Sequence, residues 1–330
     1  MPMNTDPSPT EIHRNLLIAV DGSKPSLKAV DYAVHVTRII HETHFNLVSV
    51  LPAIPPILQA EAKTDGAMNL RLKKMEAANR RRAEEILDAA RKHLMEHGVD
   101  ETRILTRVRP RISGLAKDII NEAEMGRFDG LVVGRRGLTR TQEVFMGSVS
   151  NQLIQHAANV PLWIIDGDIV DPKLIVAVDG STASLRAVDH VAFMLGDNPE
   201  ARVAFLHVSP MFQNYCPINL DEFKSEWEGI EQDVELMEEA FIREDHACSD
   251  DFMDRAVQVL KQAGFSQDRI SIERRENALG VGRTIVNTAR ELGYGTIVIG
   301  RRGMGKSSFL GSVSDRVIRR AENMAIWLVN

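Results

Sequence analysis

The sequence IAVDGS at residues 18–23 recurs as VAVDGS at residues 176–181. The match continues, because SLKAVD at residues 26–31 has its counterpart in SLRAVD at residues 184–189. A repeat separated by about half of a 330-residue chain indicates two copies of one domain, not a solenoid of short units. A single compact core rarely accommodates a chain of this length, so size alone also favours two domains.

Two further blocks repeat late in each copy. VGRRG at residues 133–137 returns as IGRRG at residues 299–303, and MGSVS at residues 146–150 returns as LGSVS at residues 310–314. Gly, Asp and Pro cluster between the copies, which is typical of a linker. We therefore expect a flexible N-terminus, a first domain and a second domain, at residues 1–14, 15–167 and 168–330.

Short apolar runs alternate with amphipathic runs in each copy. The strands predicted in the first copy are residues 16–20, 45–51, 102–108, 130–134 and 161–165. Those predicted in the second are residues 173–178, 201–208, 269–273, 296–300 and 325–329. The main helices are predicted at residues 68–97, 112–125 with Ile112 facing inward, and 220–264 with an interruption around 248–250. This alternation predicts an α/β fold, a parallel sheet covered by helices on both faces.

Charge and composition exclude several classes of protein. The net charge is −6, divided as +2 over residues 1–166 and −8 over the remainder, and aromatic residues make up 5%. Nucleic-acid binding needs a basic field and often stacking aromatics, so neither it nor an anionic membrane surface is expected. No apolar run reaches the roughly 20 residues that span a bilayer. Two cysteines, Cys216 and Cys248, do not form a disulfide framework, which favours the cytoplasm.

A glycine-punctuated turn lies between the fourth strand and the next helix of each copy. In the first copy this turn runs from residues 134–137 to Gly147, and glycine tolerates the positive φ that lets backbone amides converge on a ligand. A helix starting near Gly147 adds free N–H groups that suit a phosphate. The hydroxyls of Ser148 and Ser150 are candidate donors. Asp21, at the end of the first strand, is a candidate acceptor for a ribose or a base.

These blocks resemble the universal stress protein family, twice over and across nearly the whole chain. The spacing G-x2-G-x9-G-S after an apolar strand, with AVDGS at the end of the first strand, carries the resemblance. It implies a doubly wound five-stranded parallel sheet of order 3-2-1-4-5 in each domain. It also implies that the last strands, residues 161–165 and 325–329, pair as an internal pseudo-dimer, with surface left for a homodimer.

The resemblance further implies an ATP site in each domain, with Mg²⁺ allowed on the phosphates. The nucleotide-binding residues implied for the first domain are Val20, Asp21, Val50, Gly134, Arg135, Gly137, Gly147, Ser148, Val149 and Ser150. Those implied for the second domain are Val178, Asp179, Val208, Gly300, Arg301, Gly303, Gly311, Ser312, Val313 and Ser314. Only seven residues separate Gly303 from Gly311, two fewer than in the first domain, which shortens the reach by roughly 7 Å. Binding at the second site therefore stays open.

GRRGMGKS at residues 300–307 also matches the P-loop pattern G-x4-G-K-[ST], with Lys306 on the outer phosphates. Context argues against a P-loop. The first domain has no Gly-Lys at the equivalent position, and the following helix is expected to start at Gly311. Too few residues remain after Ser307 for the strands that normally follow.

HLMEH at residues 93–97 matches the H-x-x-E-H arrangement of zinc proteases. Zinc would need a third ligand, and the two histidines also suit the last turn of an amphipathic helix, so no metal site is predicted. The arginines at residues 80–82 are interpreted as a solvated face. The acidic residues near residue 245 are interpreted as an exposed helix.

Three functions remain open after the sequence analysis. The first is an adenine-nucleotide-binding regulatory protein of the stress response, whose occupancy alters contact with an unidentified protein partner. In that reading no catalytic residue is assigned, and hydrolysis is slow at most. The second is a nucleotide-free interaction module of the same fold. The third is a P-loop enzyme that uses Lys306.

Overall fold

The computed structural model describes residues 13–37, 40, 42–135, 148–212, 230–302 and 310–330. The strands of the first half are β1 (Arg14–Ala19), β2 (Thr43–Val50), β3 (Ile104–Arg109), β4 (Gly130–Gly134) and β5 (Leu162–Ile165). Its helices are α1 (Lys24–Thr37), α2 (Pro56–Glu61), α3 (Gly66–Glu96), α4 (Leu115–Met125) and α5 (Ser148–His156). A strand therefore leads into a helix at nearly every step, as the apolar pattern predicts.

The second half repeats this order. Its strands are β6 (Lys173–Val178), β7 (Arg202–Pro210), β8 (Ile270–Ala278), β9 (Thr296–Gly300) and β10 (Ala325–Val329). Its helices are α6 (Thr182–Leu195), α7 (Ile230–Gln262), α8 (Val281–Glu291) and α9 (Ser312–Arg320). Among the described helices of both halves, none is long and apolar enough to cross a membrane.

All ten strands form one sheet, in the order β3-β2-β1-β4-β5-β10-β9-β6-β7-β8. Pairing is parallel within each half, and the predicted order 3-2-1-4-5 is confirmed in both. The two halves join where β5 pairs antiparallel with β10. The expected pairing of the two last strands within one chain is therefore confirmed, and the sheet runs unbroken through the molecule.

Two tryptophans stack at the centre of this junction. The rings of Trp163 and Trp327 lie 3.8 Å apart and nearly parallel, and both side chains are fully buried. Each indole N–H crosses to the other half, because Trp163 donates to His190 at 3.0 Å and Trp327 donates to Tyr32 at 2.8 Å. A buried N–H must find a partner, so these bonds fix how the halves align. Burial lowers the pKa of His190 to about 3.

Two sequence-based expectations about local structure are wrong, and one helix was not predicted. The helix of the second half is not interrupted at residues 248–250, because α7 runs continuously through them. Buried side chains one turn apart, including Ser249 and Met253, hold that segment against the core. Ile112 does not face inward: it precedes α4 and is 81% exposed. The helix that was not predicted from the sequence is α2, which begins at Pro56, the last of three closely spaced prolines.

Candidate functional site

A cavity of about 390 Å³ opens at the carboxyl ends of β1, β2 and β4 in the first half. We call it the first pocket. Its walls are mainly aliphatic, and α3, α4 and α5 enclose it on three sides. The residues of its apolar wall are Ala19, Val20, Val48, Val50, Leu51, Pro52, Ala83, Ile86, Leu115, Ile119, Val133, Val149 and Leu153. A partly apolar cleft at the strand ends, where the order reverses around β1, is the usual ligand position in this class of sheet.

The β1–α1 turn places one carboxylate at the pocket. The Oδ1 of Asp21 accepts from the backbone N–H of Ser23 at 3.0 Å, and Gly22 takes a φ of +76° between them. Ser23 then accepts from the N–H of Ser26 at 3.3 Å, which caps α1 as its position in the sequence predicts. Asp21 is thus fixed by the turn, and its second oxygen remains the candidate acceptor for a ligand. It is the one carboxylate among the described lining residues.

Gly134 is the last residue of β4 and lies against the start of α1. A Cβ at this position would meet the carbonyl oxygen of Pro25 at 2.4 Å, so the start of α1 can lie this close only beside a glycine. The Oγ of Ser150 donates to the carbonyl oxygens of Arg135 at 3.1 Å and Gly134 at 3.4 Å. Ser150 therefore joins α5 to the end of β4. In this arrangement its hydroxyl proton is directed at these carbonyl oxygens, and its role as a donor to a phosphate stays a prediction.

Two arginines and an asparagine that the sequence analysis did not assign to the site also line the pocket. Asn79 and Arg82 project from α3, and Arg111 lies just before α4. Arg82 was expected to lie on a solvated face, and its side chain is indeed 72% exposed, but that exposed end lies at the pocket mouth. Only the crossing of α3 over the sheet brings Arg82 near Arg111, which is why spacing along the chain could not reveal them.

The side chains of Arg135 and Arg301 do not line the first pocket. Arg135 is buried, and its guanidinium donates to the carbonyl oxygens of Ile318 at 2.9 Å and of Ala321, at the end of α9 in the opposite half. Arg301 does the reverse, donating to the carbonyls of Ile154 and Ala157 at the end of α5. Cations satisfy and stabilise helix C-termini. The structure thus places both arginine side chains between the halves, and nucleotide contact by these two residues stays a prediction.

At the corresponding position in the second half, three polar side chains bond to one another. The Nε2 of His207 lies 2.9 Å from the Oδ2 of Asp245, and the Oγ of Ser209 donates to the same oxygen at 2.5 Å. The Nδ1–H of His207 donates to the carbonyl oxygen of Val178 at 3.1 Å. We call His207, Ser209 and Asp245 the closing triad. Burial opposes ionisation of Asp245, but the bonds from Ser209 and His207 outweigh it and lower the pKa of that carboxyl.

Matching registers identify which first-half residues the closing triad replaces. Leu16 pairs with Phe45 and Leu174 with Val203, so both first strands and both second strands align at a constant offset. His207 then stands in the place of Ser49 in β2. The ends of α3 and α7 align through equivalent turns, since Val99 donates to the carbonyl of Leu94 and Phe265 to that of Leu260. The replacements are Ser49 by His207, Leu51 by Ser209, Asn79 by Asp245, Ala83 by Ser249 and Ile86 by Phe252.

The structure brings together some of the expected site residues and not others. Val20, Asp21, Val50, Gly134, Val149 and Ser150 line the first pocket. Ser148 and Ser312 begin their helices, Gly311 caps α9, and Val313 and Ser314 follow in its first turn. Ser314 donates to Gly300 at 2.8 Å, as Ser150 does in the first half, and Asp179 accepts from Ser181 as Asp21 does from Ser23. Gly137, Gly147, Gly303, Lys306, Ser307 and Cys216 lie outside the described residues.

The chain belongs to the universal stress protein family. The family model described as "Universal stress protein family" matches it twice, at residues 13–166 and 172–326. Universal stress protein YxiE from Bacillus subtilis (strain 168) is 29% identical over 157 residues, covering 46% of this chain and 97% of that protein.

Solved structures show the same tandem fold. A universal stress protein from Archaeoglobus fulgidus DSM 4304 superposes with a TM-score of 0.61 at 19% identity, covering 95% of this chain and 97% of that one. A protein of unknown function, PA1789 from Pseudomonas aeruginosa PAO1, gives 0.52 at 16% identity, covering 96% and 92%. At these identities the likeness concerns the fold of the whole chain.

Proposed function

We propose that the first half binds an adenine nucleotide, ATP with or without Mg²⁺, and that occupancy of the first pocket is the protein's signal. The observation that carries the proposal is the pocket itself. Its volume of about 390 Å³ lies within the range of roughly 300–1,000 Å³ that small-molecule sites occupy. It lies at the carboxyl ends of the strands, where ligands bind in doubly wound sheets.

The lining divides in the way that a nucleotide requires. Val20, Val50 and Ile86 supply apolar surface for the face of a base. Asp21 supplies a carboxylate oxygen that can accept a hydrogen bond from a ribose hydroxyl. The same carboxylate would repel a phosphate, so we assign it to the ribose. The first turn of α5 borders the pocket through Val149 and Ser150, and the N-terminus of a helix favours a phosphate.

Positive charge at the mouth supports an anionic ligand. Arg82 and Arg111 line the pocket from two different elements, and both side chains are exposed. Guanidinium groups bind phosphate oxygens with two parallel hydrogen bonds. Each contact is modest in water, so affinity depends on several of them converging with the helix terminus.

The second half does not contribute an equivalent pocket in this proposal. The closing triad and Phe252, which is 3% exposed, occupy the space that Ser49, Asn79 and Ile86 leave open in the first half. We therefore expect one nucleotide per chain. The repeated motif alone would suggest two nucleotide sites, and this proposal keeps only the one in the first half.

The side chains that line the first pocket favour binding of ATP without its hydrolysis. Asp21 is the one carboxylate among the described lining residues, and one of its oxygens already accepts from Ser23. Phosphoryl transfer to water needs a group that positions the nucleophile and others that neutralise charge. We propose that hydrolysis is slow at most and that the bound state alters the surface around the N-terminus of α5 for a protein partner in the cytoplasm.

The test is direct titration of ATP into the purified chain and two phenylalanine variants of α3. Ala83→Phe fills the pocket, because Ala83 lines it and is 5% exposed. Ala89→Phe is the matched control, with the same substitution on an exposed face of the same helix. We expect ATP to bind the wild type and Ala89→Phe equally, and Ala83→Phe at least about 100-fold more weakly, or about 2.7 kcal/mol.

Equal ATP affinity in all three proteins would place any nucleotide elsewhere and overturn the proposal. Failure of the folded wild type to bind ATP at all would leave the nucleotide-free interaction module as the function. Circular dichroism and thermal unfolding of Ala83→Phe establish that a loss of binding does not come from a loss of fold.

A further inference from the structure

Four polar side chains meet across the contact between α1 and α3, outside the first pocket. They are two pairs spaced one helical turn apart: Asp31 and His35 on α1, and His93 and His97 on α3. The ligand atoms of Asp31, His93 and His97 all lie within 4.8 Å of one another. The Nε2 of His93 is in direct contact with the Oδ1 of Asp31. The rings of His93 and His97 lie 4.5 Å apart.

Hydrogen bonds to backbone carbonyls set the tautomers of two of these histidines. The Nδ1 of His97 lies 2.8 Å from the carbonyl oxygen of His93, and the Nδ1 of His35 lies 2.7 Å from that of Asp31. A carbonyl only accepts, so each Nδ1 carries the proton and each neutral ring keeps a lone pair on Nε2. A histidine whose other nitrogen donates to a carbonyl is the usual arrangement of a metal ligand.

We propose that Asp31, His93 and His97 form a binding site for a divalent metal ion of the zinc class. The H-x-x-E-H spacing of residues 93–97 supplies two imidazoles on one face of α3, but two ligands are too few for zinc. Asp31 supplies the third, from a helix 62 residues away in sequence. Two histidines and one carboxylate with water in the fourth position make a tetrahedral set of the kind zinc favours.

The distances allow the ion to enter without movement of either helix. Donor atoms on a tetrahedral zinc lie about 3.3 Å apart, given bonds of about 2.0–2.1 Å. The three donor atoms already lie within 4.8 Å, and all three side chains are partly exposed, so rotation about side-chain bonds brings them to that spacing. His35, whose ring lies 5.8 Å from that of His97, borders the site.

The second half lacks this set although it repeats the helices. The residue equivalent to Asp31 is Asp189, where burial raises the pKa of the carboxyl. The positions of His35, His93 and His97 are held there by Phe193, Val259 and Ala263, from the alignment of α1 with α6 and of α3 with α7. Three imidazoles therefore occur together only on one side of an otherwise repeated contact. That asymmetry favours a local ligand over a requirement of the fold.

The experiment titrates Zn²⁺ into the tag-free, metal-free full chain, followed by calorimetry, with Co²⁺ as a spectroscopic reporter. The site variants are Asp31→Asn, His93→Ala and His97→Ala. His156→Ala is the matched control, an exposed histidine in the last turn of another helix, and Cys248→Ser tests the exposed thiol. We expect one Zn²⁺ per chain, bound at least about tenfold more weakly by each site variant and equally by both controls.

Two readouts do not depend on affinity alone. Bound Co²⁺ should give the absorption of a tetrahedral nitrogen and oxygen site without a thiolate band, and Zn²⁺ should raise the melting temperature of the wild type but not of His93→Ala. Zinc affinity that is unchanged in His93→Ala and His97→Ala would overturn the proposal. So would a thiolate band that Cys248→Ser removes. ATP binding by the first pocket does not enter either result.

Discussion

The two halves share one backbone plan but differ where a ligand would lie. In the first half, Ser49 and Asn79 leave a cavity bordered by aliphatic side chains. In the second half, His207 and Asp245 occupy the same two positions and bond to each other across it. The two halves therefore share their turns and sheet order but differ in the side chains at the ends of their strands. Repetition of a motif predicts the fold at both places, and the proposal of one nucleotide per chain depends on this difference.

The closing triad is stable because its polar groups satisfy one another. Asp245 accepts from Ser209 and His207, and the other nitrogen of His207 donates to the carbonyl of Val178. A buried carboxylate without such partners would cost several kcal/mol. The closing triad thus satisfies its own hydrogen-bonding groups.

The largest expected effect comes from copying the closing triad into the first half. Ser49→His, Leu51→Ser and Asn79→Asp together should place a hydrogen-bonded histidine and aspartate in the first pocket and lower ATP affinity at least about 1,000-fold, or about 4 kcal/mol. Titration of the triple variant measures it. The reciprocal set in the second half, His207→Ser, Ser209→Leu and Asp245→Asn, should leave first-pocket affinity unchanged. Wild-type ATP affinity in the variant with the three first-half substitutions would show that these residues do not decide which half binds.

A smaller effect concerns the junction, where Tyr32 of the first half and His190 of the second half hold equivalent positions. His190 should change the free energy of unfolding by a few kcal/mol as the pH changes. Burial lowers the folded-state pKa of His190 to about 3, whereas an unfolded chain protonates histidine near 6.5. Between those values the unfolded state binds more protons, so stability falls as pH drops from about 6.5 to about 3. His190→Gln should flatten that part of the stability curve, measured by urea unfolding at a series of pH values. An unchanged slope in the variant would show that other groups cause it.

Substitution of Arg135 and of Arg301, whose side chains reach the opposite half, should lower the free energy of unfolding by amounts that differ only slightly. Arg135 has an acidic partner, Asp166, at 3.1 Å, whereas Arg301 has the neutral side chain of Asn330 at 2.5 Å. Burial, with the charge of Arg302, lowers the pKa of Arg301 to about 10. Arg135→Met leaves Asp166 uncompensated as well as the helix carbonyls, so we expect it to cost about 2–3 kcal/mol and Arg301→Met about 1–2. Equilibrium unfolding that ranks them in the opposite order would contradict this account.

The smallest expected effect concerns the serines that join each helix to its preceding strand. Ser150→Ala and Ser314→Ala each remove one hydroxyl donor and should each lower stability by about 1 kcal/mol. Because Ser150 donates to carbonyls and not to a phosphate in this arrangement, Ser150→Ala should change ATP affinity less than threefold, or about 0.65 kcal/mol. A greater loss, measured by titration, would restore Ser150 as a nucleotide ligand.

The fold and the location of the first pocket followed from the sequence because they depend on local patterns. Apolar periodicity defines the strands, Asp-Gly-Ser defines the β1–α1 turn, and parallel topology brings the strand ends together. The predicted interruption of α7 is wrong because Ser249 and the aspartates beside it disfavour a helix only weakly. Burial of Phe252 and Met253 stabilises the helix by more than these residues destabilise it.

Contacts between distant elements could not be predicted in the same way. The motif around Arg135 does not reveal that its side chain crosses to α9, because that depends on how β5 meets β10. The closing triad joins residues 38 positions apart and depends on the rotation of α7 about its axis. Asp31 likewise reaches His93 only because α1 and α3 lie side by side.

The number of ATP molecules held by one chain tests the central claim most directly. Native mass spectrometry of the wild type at saturating ATP should show one nucleotide per chain, and none in the variant that carries Ser49→His, Leu51→Ser and Asn79→Asp. Two nucleotides per wild-type chain, or one retained by that variant, would show that the closing triad does not decide which half binds.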